Sequence, residues 1–114
     1  MAAPIIKNND PLYMLLRQGN VSEFNQRSAA GETCDLTDAD FRSLELQGWQ
    51  PRNLDLSGSY FRQADLRGVD LSSCQLAGAS IHDAKISGVL FPNTLSVDEI
   101  TLSLLHGTRM RISS

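Results

Sequence analysis

The sequence predicts an all-β solenoid built on a five-residue repeat. Residues 34–93 divide into twelve consecutive pentapeptides without insertion or deletion. The third position is Leu, Ile or Phe in eleven of these twelve units. A spacing of five fits neither the 3.6-residue period of a helix nor the two-residue period of a strand. Such a strict period instead indicates a repeat architecture, in which each unit packs on its neighbours.

An inward side chain once in every five residues requires the backbone to turn a corner once per unit. Four corners close a coil of about twenty residues, and successive coils stack at ~4.8 Å through backbone hydrogen bonds. The first position of each unit is mostly small or apolar and is expected to share the interior. Glycine ends five of the units, where a tight corner favours a positive φ. The repeat region therefore predicts about three coils.

These units resemble the pentapeptide-repeat family, whose units read A-[DN]-L-x-x. The best matches are residues 39–43, 54–58 and 64–68, which read ADFRS, LDLSG and ADLRG. The resemblance implies a right-handed quadrilateral β-helix. One unit departs from the pattern, because Pro51 stands where Leu is usual. Proline has no N–H to donate to a ladder, so we expect a distorted corner there.

The segment before the repeats, residues 10–31, predicts a helical cap. Asp10-Pro11 is a favourable start for a first helix, and Asn20 is a favourable start for a second. A solenoid end needs such a cover, because its apolar side chains and backbone groups would otherwise be exposed. Residues 1–9 show no clear period, which leaves two alternatives: a loose segment or a strand along a coil edge.

A third helix is predicted over residues 95–107, where the five-residue period has stopped. Ser96 and Glu99 form a capping box, in which each side chain bonds the other residue's backbone N–H. The helix is apolar on more than one face, so one face is expected to cap the last coil. The surplus leucines predict a homodimer contact; they are Leu102, Leu104 and Leu105. The tail, residues 108–114, is compatible with either an edge strand or disorder.

Length and composition predict one domain, residues 1–114, in a cytoplasmic protein. No apolar run approaches the ~20 residues of a membrane span, and the first ten residues do not resemble a secretory signal. The net charge of −3 argues against general binding to nucleic acids. Cys34 and Cys74 lie two coils apart, ~10 Å and beyond disulfide reach, so both are expected to be reduced and inert.

No catalytic, metal-binding or cofactor-binding arrangement emerges from the sequence, so we expect a protein that is not an enzyme. One basic stripe does emerge, from residues one coil apart on the same wall: Arg42, Arg62 and His82. Tyr60 lies on that wall and Arg67 on the next. Stacked basic groups are suited to an acidic partner or a phosphate. The alternative is a solvated wall in which Arg offsets neighbouring Asp.

The favoured function is a non-enzymatic protein-interaction or adaptor module, which presents flat solenoid walls to a protein partner. The family resemblance implies an alternative, a modulator of DNA gyrase that mimics DNA, as in quinolone-resistance pentapeptide proteins that dimerise through C-terminal helices. A second alternative is a sensor of an anion or small ligand that uses the basic stripe. The sequence does not identify the partner or its pathway.

Overall fold

The computed structural model describes residues 3–113 and measures 35 × 26 × 25 Å. It contains three helices: α1 (Pro11–Arg17), α2 (Val21–Ala29) and α3 (Val97–His106). The repeat region between α2 and α3 is held together by parallel β-bridges. None of the helices formed by residues 3–113 is long and apolar enough to cross a membrane.

Six parallel bridges within the repeats join residues that are twenty apart, as the repeat predicts. They are Asp40–Tyr60, Glu45–Asp65, Asp55–Gln75, Tyr60–Ser80, Asp65–Lys85 and Asp70–Leu90. This register arranges the units in four stacks, which we number by their first units: the first begins at Cys34, the second at Ala39, the third at Leu44 and the fourth at Trp49. Consecutive units of one stack are twenty residues apart, so the chain winds as a β-solenoid.

The corners explain why the described residues form isolated bridges and no continuous strand. In nine of the twelve units, the carbonyl of the central residue accepts from the N–H three residues on; for example, Trp49 N donates to Leu46 O at 3.1 Å. Gly48, between these two residues, has a φ of +86°. A positive φ at this position is that of a type II turn. Since part of the backbone of each unit forms a turn, only a short part of it pairs with the neighbouring coil.

The fifth position adopts positive φ in five of the seven units where it is not glycine, Ser73 and Asn93 being the exceptions. The non-glycine residues with this conformation are Asp38, Ser43, Asn53, Gln63 and Asp83, with φ between 53° and 62°. Left-handed backbone is disfavoured for residues with a Cβ, and short polar side chains tolerate it best. The corner is therefore imposed by the stacking of coils, and glycine only makes it easier to adopt.

The aspartates at the second position hold these corners from the side. The Asp55 Oδ1 atom accepts from the backbone N–H of Ser57 at 3.0 Å, and Asp70 Oδ1 accepts from Ser72 N at 2.9 Å. This is an Asx turn, in which the side chain supports a local turn of its own backbone. The second-position aspartates of these units are structural.

The core is formed by the central side chains of the units. Leu46, Leu56 and Leu66 are completely buried. In the second stack, the rings of Phe41 and Phe61 lie parallel with centroids 4.8 Å apart, which is the spacing of stacked strands. Aromatic rings one coil apart therefore stack face to face along the solenoid.

The ladder is interrupted at Pro51, as the sequence predicts. No bridge joins Gln50 to Asp70. Neighbouring pairs are bridged, both in the same stack, where Asp70 pairs with Leu90, and in the third stack, where Glu45 pairs with Asp65. Pro51 cannot donate to the Asp70 carbonyl, and its ring is buried in the interior. A surface pocket of about 320 Å³ opens at this gap, between Gln50 and Asp70.

The N-terminal segment contacts the first coil at three places. Ile5 forms a parallel bridge with Ala39, so the edge alternative for residues 1–9 is the one observed from residue 5; Met1 and Ala2 lie outside the described residues. In α1, the Tyr13 hydroxyl donates to the Asp40 carbonyl. In α2, the Asn25 side-chain amide bonds the backbone of the first coil. It donates to Gly48 O and accepts from Gln50 N, both at 2.9 Å.

The C-terminal segment contacts the last coil in the first and second stacks. The Ser103 hydroxyl of α3 accepts from Ile81 N at 3.0 Å, and the Leu104 carbonyl accepts from Asp83 N at 3.0 Å. The tail is paired as well, because Met110 N donates to Ala79 O at 2.9 Å. Of the two alternatives for the tail, the described residues support an edge segment.

The capping box is only half formed, so part of that prediction is wrong. The Ser96 hydroxyl accepts from Glu99 N at 3.1 Å, as predicted. The Glu99 carboxylate does not reach back to Ser96. It accepts instead from the Arg111 backbone and guanidinium, at 2.8 Å each. A charged donor makes a stronger hydrogen bond than a neutral backbone N–H, and the folded tail places one within reach.

Both cysteines are free thiols, as predicted. Cys74 is 4% exposed, whereas Cys34 is half-buried. Burial raises the pKa of the Cys34 thiol to about 11, and burial also raises the pKa of Cys74. A raised pKa keeps a thiol in its protonated form, and the thiolate is the reactive form.

Candidate functional site

Arg42 lies on the exposed side of the second stack and is fixed by Asp40. Its Nε and Nη2 atoms donate to the two carboxylate oxygens of Asp40 at 3.0 and 2.8 Å. The carboxylate also accepts from the Arg42 backbone N–H at 3.0 Å. Burial raises the pKa of Asp40, but the Arg42 hydrogen bonds outweigh it, and the pKa lies below its usual value. The Arg42 side chain remains 54% exposed, so its outer edge is available to a partner.

Arg67 repeats this arrangement one stack and one coil further on. Its guanidinium donates to both oxygens of Asp65, at 2.9 and 2.7 Å. These hydrogen bonds lower the pKa of Asp65 to about 2. The same spacing of two residues produces both pairs, since an Asx turn brings the second and fourth side chains of a unit to the same side. The Arg67 side chain is 46% exposed.

Arg62 and Tyr60 lie on the second stack but contact the C-terminal tail. The Arg62 Nη2 atom donates to the Gly107 carbonyl at 3.0 Å. The Tyr60 ring lies between two guanidinium groups, those of Arg62 and Arg109, each with its central carbon 4.8 Å from the ring centroid. Cations on an aromatic face are attracted by the ring quadrupole. Tyr60 therefore joins the tail to the repeat.

His82 lies beneath the same part of the tail. Its Nε2 atom is 3.3 Å from an oxygen of Asp83, and its side chain is 33% exposed. A Cβ built on Gly107 would be 3.4 Å from the His82 ring and 3.2 Å from the Arg62 guanidinium. Only glycine fits easily at this position, so the tail passes closely over both side chains.

The structure brings the basic stripe together in the second stack, but its members are not equally accessible. Arg42 faces solvent beside Asp40, whereas Arg62 and His82 are half-buried against Gly107. The exposed guanidinium groups among the predicted partner-binding residues are those of Arg42 and Arg67. Whether the stripe or these two arginines bind a partner stays a prediction.

Sequence reasoning missed the role of the two tail arginines. Arg109 donates to the carbonyl of Gly78 at 2.8 Å and to the Tyr60 hydroxyl at 3.1 Å. Arg111 forms the ion pair with Glu99. The sequence does contain a pattern that predicts a half-buried strand here, because charged and apolar residues alternate at Arg109, Met110 and Arg111. That alternation does not specify which surface the strand covers.

The predicted dimer residues of α3 divide between its two faces. Leu102 and Leu105 are 40% and 60% exposed, and Val97, on the same outer face, is 77% exposed. Leu104 is partly buried and packs against the core. Leu102 and Leu105 thus remain available to a second copy, while Leu104 contributes to the packing of α3 on the last coil.

The register of twenty and the corner at every fifth residue define a class of protein, the β-solenoid repeat proteins. Within the chain, residues 55–91 match the family model described as pentapeptide repeats, in eight copies. This part of the chain consists of pentapeptide repeats. No curated protein and no solved structure matches it.

Proposed function

We propose that the protein is a non-enzymatic interaction module that uses the outer walls of its solenoid to bind a protein partner. The repeats then form three right-handed, four-sided coils, one stack for each side. The helices α1 and α2 cap one end and α3 caps the other. The contacts of Tyr13 and Asn25 with the first coil, and of Ser103 with the last coil, support this arrangement.

The observation that carries the proposal is the fixed placement of exposed side chains on a rigid backbone. Arg42 and Arg67 are each held by two side-chain hydrogen bonds to a neighbouring Asp, on units that are held by the ladder. A side chain that is ordered before binding loses little conformational entropy when a partner docks. Because each guanidinium is paired with a carboxylate, we propose that the partner is a polar protein surface read by hydrogen bonds.

A quantitative capture experiment tests this proposal. The protein is immobilised and exposed to extract from its own cells, and bound proteins are compared with those bound by the variant Arg42→Ser/Arg67→Ser. Arg52→Ser is the matched control, because Arg52 is also exposed in the repeats but lies in the fourth stack. We expect a partner that the parent and the control retain and the double variant loses. Equal capture by all three proteins, at equal melting temperature, would refute the role of these walls.

We also propose that the protein forms a homodimer through the outer face of α3. The exposed apolar side chains of that face, Val97, Leu102 and Leu105, support it. A concentrated apolar patch on a small protein is typical of an association surface.

A further inference from the structure

The last coil leaves half of its backbone edge unpaired. In the third and fourth stacks, the N–H groups of Ile86, Gly88 and Phe91 make no hydrogen bond to any residue between 3 and 113. The carbonyl groups of Ala84 and Val89 likewise accept none from this part of the chain. These five groups are the ones that would bond a further coil.

The coil beneath shows what these groups are suited to bind. There, Leu66 N, Gly68 N and Leu71 N donate to the next coil at 2.9, 2.9 and 2.8 Å. In return, the carbonyl groups of Ala64 and Val69 accept from the next coil, at 2.9 and 3.2 Å. The open edge repeats this pattern of three donors and two acceptors one coil later. It is therefore a template for a parallel segment of about eight residues that turns a corner as residues 64–71 do.

The other half of the same coil is covered by the chain itself. In the first stack, Gly78 N donates to Met110 O at 2.7 Å. In the second stack, α3 bonds Ile81 N and Asp83 N. The contrast matters because a natural protein normally covers, bends or charges an edge strand to prevent unwanted pairing. Between residues 84 and 91, the edge in the third and fourth stacks turns the usual corner at Gly88, but no described residue bonds its outward N–H and C=O groups.

The side chains along the open edge select the chemistry of a partner. Lys85 is exposed and lies one coil from Asp65, whose pKa its charge helps to lower. An acidic residue placed on the open side of Lys85 would continue this stacking of opposite charges, whereas a basic one would be repelled. Leu90 is 58% exposed. Ile86 and Phe91 are only partly buried, because no coil covers them. The template thus fits a segment with an acidic residue over Lys85 and an apolar residue directly after it, over Ile86. A second apolar residue five positions later would lie over Phe91.

We propose that this edge, residues 84–91, binds a segment of another protein that carries two consecutive pentapeptide-like units. The segment turns the same corner as the edge, runs parallel to it, donates to Ala84 O and Val89 O, and places an acidic side chain over Lys85. Backbone hydrogen bonds supply affinity and side-chain positions supply specificity in such strand addition. This inference rests on the proposed interaction role, but it uses the end of the solenoid and not its walls.

The experiment uses a synthetic peptide of sequence ADLRGVDL, which occupies the equivalent positions of the coil beneath, residues 64–71. It is titrated to millimolar concentration into the ¹⁵N-labelled full-length protein. We expect chemical-shift changes at the amides of Ile86, Gly88 and Phe91. The control peptide is N-methylated at both Asp residues, which removes the two N–H groups that would donate to Ala84 and Val89. It is expected not to bind.

Two protein variants sharpen the test. Leu90→Glu places a negative charge directly beneath the second Asp of the peptide, and it is expected to weaken binding by about fivefold or more. Its matched control is Val97→Glu on the outer face of α3, which leaves binding unchanged. Lys85→Glu weakens binding of the acidic peptide, and a peptide with Lys in place of the first Asp restores it.

Each other outcome contradicts the proposal. An absence of shifts at Ile86, Gly88 and Phe91 with millimolar peptide overturns it. Shifts confined to α3, or equal binding of the N-methylated peptide, place the contact elsewhere and overturn it as well. Self-association that Leu90→Glu abolishes would make a second copy the occupant of the edge and would overturn the proposal. Loss of peptide binding and loss of wall-dependent capture are measured separately, so failure of one proposal is distinguishable from failure of the other.

Discussion

At the scale of single residues, one local arrangement has both a structural and a functional consequence. The second-position Asp of a unit accepts from the backbone N–H two residues on. When that residue is Arg, the same carboxylate also fixes its guanidinium, as Asp40 does for Arg42 and Asp65 for Arg67. The arginines that point to solvent are thereby held in one orientation by the turn that shapes the coil.

The Asp65–Arg67 pair predicts a dependence of stability on pH. The pKa of Asp65 is lowered to about 2 in the folded protein, from a value near 4 in the unfolded chain. A lowered folded pKa means that the unfolded chain binds the proton more readily. The contribution is therefore present above pH ~4 and is lost as the pH falls from ~4 to ~2.

This dependence is measurable by circular dichroism melting between pH 2 and pH 5. The parent protein should lose melting temperature more steeply on acidification than Asp65→Asn does. The matched control is Glu45→Gln, one coil earlier in the same stack, where residue 47 is Gln and not Arg. If Asp65→Asn and the parent show the same pH slope, the pair contributes nothing to it.

At the scale of elements, the C-terminal tail packs on the first and second stacks of the repeat region. Gly107 ends α3 with a φ of +73°, and its carbonyl accepts from Arg62. Glu99 and Arg111 then join the helix to the chain that follows it. These contacts fix the angle at which the tail leaves α3 and crosses Tyr60 and His82.

The substitution Gly107→Ala tests the closeness of that crossing. An alanine incurs the strain of a left-handed backbone, about 1–2 kcal/mol, and its Cβ would also meet Arg62 at 3.2 Å. Gly19→Ala is the matched control, because Gly19 has a φ of +77° and a Cβ added to it would meet no atom within 4 Å. Urea unfolding should show a larger loss of stability for Gly107→Ala. Equal losses would mean that the tail does not press on Arg62 and His82.

At the scale of the whole molecule, the exposed large apolar side chains are concentrated after the repeats. Those at or beyond the last unit are Leu90, Val97, Leu102, Leu105 and Ile112, against Ile5 and Ile6 near the start. A concentration of exposed apolar side chains is typical of an association surface, and three of these residues lie on α3.

The homodimer is tested by sedimentation at micromolar concentration. We expect a dimer for the parent protein and a monomer for Leu105→Lys, because a charge would be buried in the centre of the contact. Ile6→Lys, at a similarly exposed position near the N-terminus, is the control and should remain dimeric. A parent protein that sediments as a clean monomer would remove the dimer and leave α3 as a cover for the last coil.

The sequence by itself determined the repeating part of the molecule. The register of twenty, the buried central residues and the gap at Pro51 all follow from which residue stands at each place in a unit. The starts of the helices follow from Asp10, Asn20 and Ser96 in the same way. These features are predictable because each depends on residues that are close in sequence or on one strict period.

Only the tertiary structure decided how the ends of the chain meet the coils. Arg62 donates to the Gly107 carbonyl, which is 45 residues away in the sequence. The Glu99 carboxylate accepts from Arg111 and not from the backbone N–H of Ser96, its predicted partner. The open edge at residues 84–91 exists because α3 and the tail turn towards the first and second stacks. Such contacts depend on the direction in which a segment leaves the repeat, and no local pattern encodes it, because several edges of the last coil offer the same backbone donors and acceptors.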